Sequence, residues 1–406
     1  MTENRRNANV APQCLWITRE VPYPPAFGGD VLYTSHLIES LAKAGSKVHV
    51  FCRGIVDRVK ASNSSIEWTV TQHKLCGKFK AIFSPLPNLA ARHNSRLQKK
   101  TLESILNSRV WDVIIIDHLA SAWALPIIQK HTENRDPILT LYLSHNHEKS
   151  VRVQLAQNFS GNYLTKLALL LDAIKTRHLE KRVVEYVNYI GTNTESDASR
   201  FISDFPDAKT LTITPGYGGD ELLHQTGFEE LPHKVVIVGS FHWVAKKHNL
   251  EAFLEVAAAK FHKHGITLTV VGTVDSQYAE TLENRYPCLD FIGEVDSVTP
   301  FIRAARIGLI IEVVGGGFKH KALSYIFNRV PFALIEKTAD GLPISNDLGY
   351  FAYENLESMV DGVLQVIDDT ETLYKTQEIA YLECKDHFCW DSRGQAIHSL
   401  LTKELS

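Results

Sequence analysis

Several patterns that mark common classes of protein are missing from this 406-residue sequence. No apolar run approaches the length of about eighteen residues that a membrane-spanning helix needs. The first thirteen residues are polar and contain no apolar core of a secretory signal, so we expect a cytoplasmic protein. The six cysteines form no CxxC pair, which is typical of reduced thiols in such a protein.

Three signatures of nucleotide and metal binding are absent as well. No GxGxxG follows the first predicted strand, which argues against a dinucleotide-dependent oxidoreductase, and there is no Walker A loop of the form GxxxxGK[ST]. No DxD pair occurs, so we expect no metal held by paired aspartates. The composition is that of an ordinary globular protein, with 44% hydrophobic residues and no internal repeat. The length favours two domains.

Charge is distributed unevenly, although the net charge is only -3. Residues 1–200 carry nine more basic than acidic residues, whereas the remaining 206 carry twelve more acidic than basic ones. The excess is sharpest in residues 74–109, with eight basic residues and one acidic. This segment is either a solvated surface or a face that contacts an anionic membrane or an acidic acceptor.

Apolar strand-like runs alternate with amphipathic helical stretches along most of the chain. "PQCLWIT", a helix ending near Gly45 and "SKVHVFC" predict a β-α-β unit, and "WDVIIIDH" and "ILTLYLSHN" are typical of parallel strands buried on both faces. A second alternating series begins at "KVVIVGS". The pattern predicts two doubly wound α/β domains. We place a disordered N-terminus at 1–12, the first domain at 13–215, a linker at 216–233, the second domain at 234–388 and a C-terminal helix at 389–406.

Glycines follow the ends of several predicted strands. Gly315, Gly316 and Gly317 stand between "RIGLII" and a predicted helix that carries Lys319 and Lys321. A helix N-terminus presents unpaired N–H groups, and glycine lets the backbone approach an anion closely. This combination predicts a phosphate or diphosphate site; the alternative is a flexible glycine turn with exposed lysines.

Two further strand ends show the same arrangement. Gly28 and Gly29 precede the first predicted helix, and Gly239 with Ser240 follow the first strand of the second series, shortly before Lys246. One glycine pair at a strand end is weak evidence by itself. Three such sites, spread over both predicted domains, favour phosphate binding.

Four segments, in this order and spacing, resemble the GT-B-fold glycosyltransferases, and among them the retaining group often called group 1 or family 4. They are "VPYPPAFGGDVLYTSHLIESLAKAGSKVHVFC", "VGSFHWVAKKHNLEAFLEV", "GGGFKHKALSYIFNRVPFAL" and "FCWDSRGQAI". The resemblance extends from about Cys14 to Leu401. It implies two Rossmann-like domains facing a cleft, with a C-terminal helix that returns to the first domain.

The resemblance also implies a nucleotide-sugar donor, with UDP- or GDP-sugars expected, no further cofactor and no metal. Developing charge on the leaving diphosphate would be stabilised by lysine and by glycine amides. The implied donor-binding residues are Gly28, Gly29, Gly239, Ser240, Lys246, Gly293, Glu294, Val295, Gly315, Gly316, Gly317, Lys319, Lys321 and Ser324.

The chain departs from the family's usual pattern at three of these positions. Ser324 stands where a glutamate often holds the nucleotide ribose, Gly316 stands near the position of the other glutamate, and Ser240 stands where an arginine often occurs. A catalytically impaired scaffold or partner protein therefore remains an alternative. A nucleotide-sugar epimerase shares the fold and is a further alternative.

Two strand ends of the first predicted domain carry candidate catalytic and acceptor residues. His118 ends "WDVIIIDH", where the family often has a histidine; the alternative is a residue that caps the turn. "SHNHEKSVR" supplies Glu148 as a candidate base if the mechanism inverts, and His145, Asn146 and Arg152 as candidate contacts to acceptor or sugar. A metal site formed by the histidines and Glu148 is a minor alternative, because no further ligand cluster is evident.

The function that the sequence predicts is sugar transfer from a nucleotide-diphosphate sugar to an acceptor hydroxyl. The expected acceptor is a glycan, a lipid-linked molecule or a polysaccharide, and no nucleic acid is expected as a partner. Through residues 74–109 the protein could lie at the inner face of the membrane as a peripheral protein.

Overall fold

The computed structural model of this chain describes residues 11–23, 28–59, 65–133, 135–159, 161–224, 227–241, 244–344 and 348–406. Residues 1–10, in the N-terminal segment that we expected to be disordered, lie outside the described residues. The chain divides into two compact units: Met1–Pro215 with Cys389–Ser406, and Gly216–Phe388.

The first unit is built on a parallel sheet of seven strands. Its strands are β1 (Gln13–Ile17), β2 (Lys47–Arg53), β3 (Ile66–Thr71), β4 (Val113–Asp117), β5 (Leu139–Ser144), β6 (Tyr189–Thr192) and β7 (Thr210–Thr212). Its helices are α1 (Gly29–Lys43), α2 (Lys78–Ile82), α3 (Asn88–Ala91), α4 (Arg96–Ser108), α5 (Leu125–Thr132), α6 (Glu148–Asn158), α7 (Tyr163–Val184), α8 (Glu195–Asp204) and α15 (Trp390–Leu405), with 3-10 turns at Val56–Arg58 and Leu119–Ala124.

The second unit is built on a parallel sheet of six strands. Its strands are β8 (Lys234–Val238), β9 (Thr267–Val271), β10 (Leu289–Gly293), β11 (Ile307–Ile310), β12 (Phe332–Ile335) and β13 (Phe351–Tyr353). Its helices are α9 (Val244–Lys263), α10 (Ser276–Arg285), α11 (Thr299–Arg303), α12 (His320–Phe327), α13 (Leu356–Val366) and α14 (Thr370–Cys384), with 3-10 turns at Phe228–Glu230 and Glu336–Thr338.

The strand order places a switch point in each sheet. The orders are β3-β2-β1-β4-β5-β6-β7 and β10-β9-β8-β11-β12-β13, so the chain reverses direction across the sheet between β1 and β4, and again between β8 and β11. In doubly wound sheets, ligands bind beyond the carboxyl ends of the strands at such points. The candidate residues that follow β1, β4, β8 and β11 therefore lie where this topology favours a site.

Apolar side chains pack on both faces of each sheet. In the first unit, Leu15 and Ile17 of β1 belong to one hydrophobic cluster, and Cys14 and Trp16 belong to another on the opposite face. Because packed side chains cover both faces of the central strands, the sequences of these strands are continuous apolar runs. The C-terminal helix α15 packs on α1, where a side chain at Gly394 would clash with the backbone of Ser40.

The sequence patterns did not indicate three of the strands. These are β3, β7 and β13, which lie at the edges of the sheets. Their residues are mostly half-buried and the strands are short or mixed in polarity, so neither a continuous apolar run nor clean alternation marks them. Within the described part of the chain, no helix has both the length and the apolar content needed to cross a bilayer.

Candidate functional site

In the second unit, the loop between β11 and α12 brings three lysines and one glutamate together. Glu312 follows β11 and is 3% exposed. Its Oε1 accepts hydrogen bonds from Lys246 Nζ and from Lys321 Nζ, the latter at 2.7 Å. Lys246 lies in the first turn of α9 and Lys321 in the first turn of α12, so one carboxylate joins the starts of two helices that flank the switch point.

The electrostatics of this cluster are set by burial and by mutual attraction. Burial alone would raise the pKa of Glu312, but Lys246, Lys321 and Lys319 hold it far below its ordinary value. Burial lowers the pKa of Lys321 to about 8, although Glu312 opposes that shift. Near neutral pH, the cluster therefore contains an ionised carboxylate among ammonium groups. Since each ammonium has three N–H donors and Glu312 occupies one on each of two lysines, donors remain for an anion.

The glycines that precede α12 adopt backbone conformations that other residues rarely adopt. Gly315 has a φ of 147° and Gly317 a φ of 64°. A Cβ at Gly315 would meet nothing within 4 Å, so the loop is open on that side. Lys319 Nζ donates to the carbonyl oxygens of Gly316 and Gly317 at 2.6 and 2.8 Å. The lysine thus braces the glycine loop as well as contributing charge.

Asn249 of α9 fixes the start of this loop, and the sequence interpretation gave it no site role. Its Oδ1 accepts from the N–H groups of Val313 and Val314 at 3.2 and 3.0 Å, and its Nδ2 donates to Val314 O at 2.9 Å. The side chain is 1% exposed. In the sequence, Asn249 lies four residues after Ala245 and four before Phe253, so a polar residue on an otherwise apolar helix face is the signal that could have found it.

The other predicted donor residues of the second unit lie at the same edge of the sheet. The Cβ position of Gly239 is 4.0 Å from Lys321 Nζ, so this glycine adjoins the lysine cluster. Ser240 Oγ accepts from Thr273 Oγ1 at 2.8 Å. Gly293 ends β10 with a φ of 77° and is followed by Glu294 and Val295. Ser324 lies in α12, half-buried, with its carbonyl bonded to Asn328 Nδ2.

In the first unit, Asp117 organises the end of β4. It is fully buried, and its Oδ2 accepts from Trp16 Nε1 at 3.2 Å and from Thr34 Oγ1 at 2.8 Å. Its Oδ1 lies 2.7 Å from His145 Nε2. Burial alone would raise the pKa of Asp117, but His145 and these hydrogen bonds hold it below its ordinary value. The sequence interpretation took Asp117 as part of a strand, and the structure shows that it holds His145 in place.

His118 and Glu148 lie side by side at the edge of the same sheet. His118 Nε2 is 3.6 Å from Glu148 Oε1, and its Nδ1 accepts from the N–H of Ala120 at 3.0 Å. The position of His118 is therefore compatible with both roles considered for it, that of a catalytic residue and that of a residue that caps the turn after β4. Its φ of 65° is rare for a residue other than glycine, and such strain is concentrated at functional sites.

The protonation states of this pair follow from burial. Burial lowers the pKa of His118 to about 4, so the imidazole is neutral near pH 7. Burial alone would raise the pKa of Glu148, but the charge of Arg152 and the hydrogen bonds from Asn146 and Arg152 hold it below its ordinary value. Glu148 also accepts from Asn146 Nδ2 at 3.1 Å and from Arg152 Nε at 3.3 Å. A buried, ionised carboxylate in this position can accept a proton or a hydrogen bond from a hydroxyl.

The first predicted glycine pair lies close to this cluster. Gly28 precedes α1 with a φ of 143°, and a Cβ there would come within 2.6 Å of Asp30 Oδ1. Asp30 pairs with Arg19, and both residues line a small pocket together with His118 and His145. Gly29 is the first residue of α1. The structure therefore brings the candidate residues of the first unit to one edge of its sheet.

No group of three or more metal-ligating side chains occurs in the described residues. The histidines considered for a metal have separate partners. His145 contacts Asp117, whereas His147 Nδ1 lies 2.7 Å from Ser150 Oγ, and Glu148 is held by Asn146 and Arg152.

Comparison with known proteins identifies the fold. No protein-family model matches the chain, and no curated protein does. Among solved structures, sucrose-phosphate synthase from Thermosynechococcus elongatus is similar with a TM-score of 0.73 at 14% identity, over 97% of this chain and 99% of that one. Anabaena HepE, solved in complex with UDP and glucose, is similar with a TM-score of 0.65 at 13% identity, over 97% and 100%.

A glycosyltransferase from Rickettsia africae is similar with a TM-score of 0.63 at 13% identity, over 97% of this chain and 98% of that one. Each likeness spans both units of the chain. The chain therefore has the GT-B fold, and the predicted fold class of two doubly wound domains with interleaved helices is confirmed.

Proposed function

We propose that this chain is a glycosyltransferase that moves a sugar from a nucleotide-diphosphate sugar to an acceptor hydroxyl. The observation that carries the proposal is the cluster of Lys246, Lys319 and Lys321 around one buried glutamate and an open glycine loop. It lies at the switch point of the second sheet, where a doubly wound fold binds its ligand.

The cluster has the charge that this reaction requires. Negative charge develops on the diphosphate as the bond to the sugar breaks, and donors aimed at that charge lower the barrier. Three ammonium groups stand against one carboxylate, and the loop adds backbone N–H groups at the start of α12. In this proposal, the lysines stabilise the leaving group without a metal, and no other cofactor takes part.

Complexes of similar proteins favour a UDP-sugar as the donor. Anabaena HepE was solved in complex with UDP and glucose, and a further similar structure from E. coli was bound with UDP-2-fluoro glucose. We therefore propose a UDP-sugar first and a GDP-sugar second, with the base beside Gly293, Glu294 and Val295.

The proposed acceptor groups lie in the first unit. Glu148 takes the proton of the acceptor hydroxyl, because it is ionised, buried and held by Arg152 and Asn146. His118 and His145 contact the sugar or the acceptor through the edge that faces the small pocket. The acceptor is a glycan, a lipid-linked molecule or a polysaccharide.

Calorimetric titration with UDP, GDP, ADP, TDP and CMP tests the donor site. Lys246→Ala should weaken the preferred nucleotide at least tenfold, about 1.4 kcal/mol, whereas Lys247→Ala should change it less than twofold. Lys247 is a matched control because its ammonium lies over the ring of Tyr278, 4.2 Å from the ring centre. The sugar nucleotides of the preferred base are then tested for transfer. A folded protein that binds no nucleotide would overturn the proposal and favour a scaffold.

We also propose peripheral contact with an anionic membrane through residues 74–109. Phe83 is 89% exposed and Ile82 is 38% exposed, in a segment rich in basic residues. Exposed apolar side chains flanked by lysines are typical of interfacial binding. Phe83→Asp should reduce co-flotation with phosphatidylglycerol vesicles severalfold, while Val110→Asp, at another exposed apolar site, should not. Equal behaviour of the two variants would contradict membrane contact.

A further inference from the structure

A second set of basic side chains lies in the first unit, at the carboxyl ends of β2 and β3. Arg53 is the last residue of β2 and pairs in register with Thr71, the last residue of β3, and His73 follows two residues later. Arg92 and His93 follow α3, and the carbonyl of Arg92 accepts from the N–H of Cys76. The two loops are thus joined beside the strand ends.

Five nitrogen atoms of this set are buried and have no hydrogen-bond partner among the described residues. They are Arg53 Nε, Arg92 Nε, His93 Nδ1 and both ring nitrogens of His73. His93 is 8% exposed as a whole residue. Buried polar atoms are nearly always paired in folded proteins, so a concentration of unpaired nitrogen atoms in one place calls for a partner from outside the chain.

The charge around His93 identifies the kind of partner. Burial, followed by the nearby charges of Arg19, Arg53 and Arg92, lowers the pKa of His93 to about 3. Arg19 is balanced by acids, because Asp30 and Glu20 pair with it and Asp117 and Glu148 also act on its charge. Arg53 lies 3.7 Å from the same Glu20, and Arg92 forms no ion pair among the described residues. Because Arg92 has no acidic partner in the described chain and Arg53 shares Glu20 with Arg19, these two guanidinium groups leave a local excess of positive charge, which an anion would balance.

The number and type of the donors fit a phosphate group. Guanidinium groups bind phosphate oxygens with charge-assisted hydrogen bonds, and the oxygens of a phosphate can accept from several directions at once. Asn94 Oδ1, directly after His93, is also buried without a partner in the described chain and can accept from a hydroxyl of the same molecule. Glu20, which lies 3.7 Å from Arg53, also lines the small pocket with His118 and His145, so this set adjoins the proposed acceptor residues.

Resting on the proposed function, we infer that the acceptor carries a phosphate group, which Arg53, Arg92, His73 and His93 hold while Glu148 receives the proton of the reacting hydroxyl. Such a group could come from a soluble sugar phosphate or from a phospholipid at a membrane surface. The contacts to the phosphate group are the same for both sources, and the experiment distinguishes a soluble acceptor from a lipid acceptor.

The test is binding of phosphate compounds to the full chain with the donor site saturated by UDP, so that the lysine cluster is occupied. Glucose 6-phosphate, with glucose as its control, is titrated by calorimetry. Phosphatidylglycerol vesicles, with phosphatidylcholine vesicles as their control, are tested by co-flotation. Arg92→Gln and His93→Gln are compared with Arg177→Gln, which changes an exposed arginine of α7, outside residues 74–109. Melting temperatures establish that each variant is folded, and His73→Gln replaces any variant that is not.

We expect one of the two phosphate compounds to bind, with at least a tenfold loss in Arg92→Gln and His93→Gln and less than a twofold change in Arg177→Gln. Binding of glucose 6-phosphate would identify a soluble acceptor, and selective binding of phosphatidylglycerol vesicles a lipid. Equal loss in Arg92→Gln and Arg177→Gln would show general surface attraction and overturn the inference. So would binding of UDP without binding of either phosphate compound. Absence of UDP binding would instead count against the proposed function.

Discussion

Glu312 and Lys321 form a buried ion pair, with 2.7 Å between Oε1 and Nζ, and the same oxygen accepts from Lys246. The two lysines begin different helices, so the carboxylate fixes both ammonium groups at the end of β11. A site whose charges are held in place before the ligand arrives loses less conformational entropy on binding. Glu312 is therefore a positioning residue for the proposed diphosphate site.

Glu312→Gln should lower the free energy of unfolding by about 3 kcal/mol at pH 7, because it leaves two lysines without their carboxylate. The pKa of Glu312 in the folded protein lies below its value of about 4.5 in the unfolded chain. Its contribution is therefore present above pH 4.5 and is lost as the pH falls below it. Urea unfolding of wild type and variant should converge in acid, while Glu280→Gln, an exposed control, should match the wild type throughout. A constant difference down to pH 3 would contradict this role.

The affinity for UDP should fall as the pH rises above 8. Burial lowers the pKa of Lys321 to about 8, so above this pH the free protein loses the charge that a diphosphate requires. We expect about a tenfold loss for each pH unit between 8 and 10. Lys321→Arg should remove this decline, since guanidinium stays protonated. Calorimetry across this range measures both proteins, with Lys247→Arg as the control, and a flat wild-type profile would exclude Lys321 as the titrating group.

Glu148→Gln should reduce turnover at least a hundredfold, because an amide cannot take up the proton that the hydroxyl of the acceptor molecule releases. The affinity for UDP should change less than twofold, since the lysine cluster belongs to the other unit. Initial rates of transfer, together with calorimetry, measure both quantities, and Glu185→Gln at an exposed position serves as the control. Turnover within threefold of wild type would assign the proton to another group.

Asp117→Asn should destabilise the first unit by about 2 to 4 kcal/mol. The carboxylate accepts hydrogen bonds from Trp16, Thr34 and His145. An amide has only one oxygen, so its NH2 group would face at least one of these donors and could not accept a hydrogen bond from it. Thermal and urea unfolding measure the loss, and Asp136→Asn at an exposed position should have no effect beyond about 0.5 kcal/mol. A neutral result would mean that His145 does not depend on Asp117 for its position.

Sequence patterns predicted the central strands and the glycine loop, but they did not predict the pairings that complete each site. β1, β4, β5, β8 and β11 are buried on both faces, so their apolar runs were visible in the sequence. Lys319 and Lys321 were found because they lie next to the glycines. Asn249 and Glu312 were not assigned, because the contacts that define them join residues about 65 positions apart.

The sequence by itself determined the doubly wound fold class and the strand ends that carry glycines and lysines, because burial periodicity and helix starts are local properties of the chain. Only the tertiary structure decided that Glu312 holds Lys246 and Lys321, that Asp117 holds His145, and that the charges of Arg53 and Arg92 act on His93. These relationships depend on which strands become neighbours. The pKa values of these groups also depend on burial, which arises when the distant segments pack together.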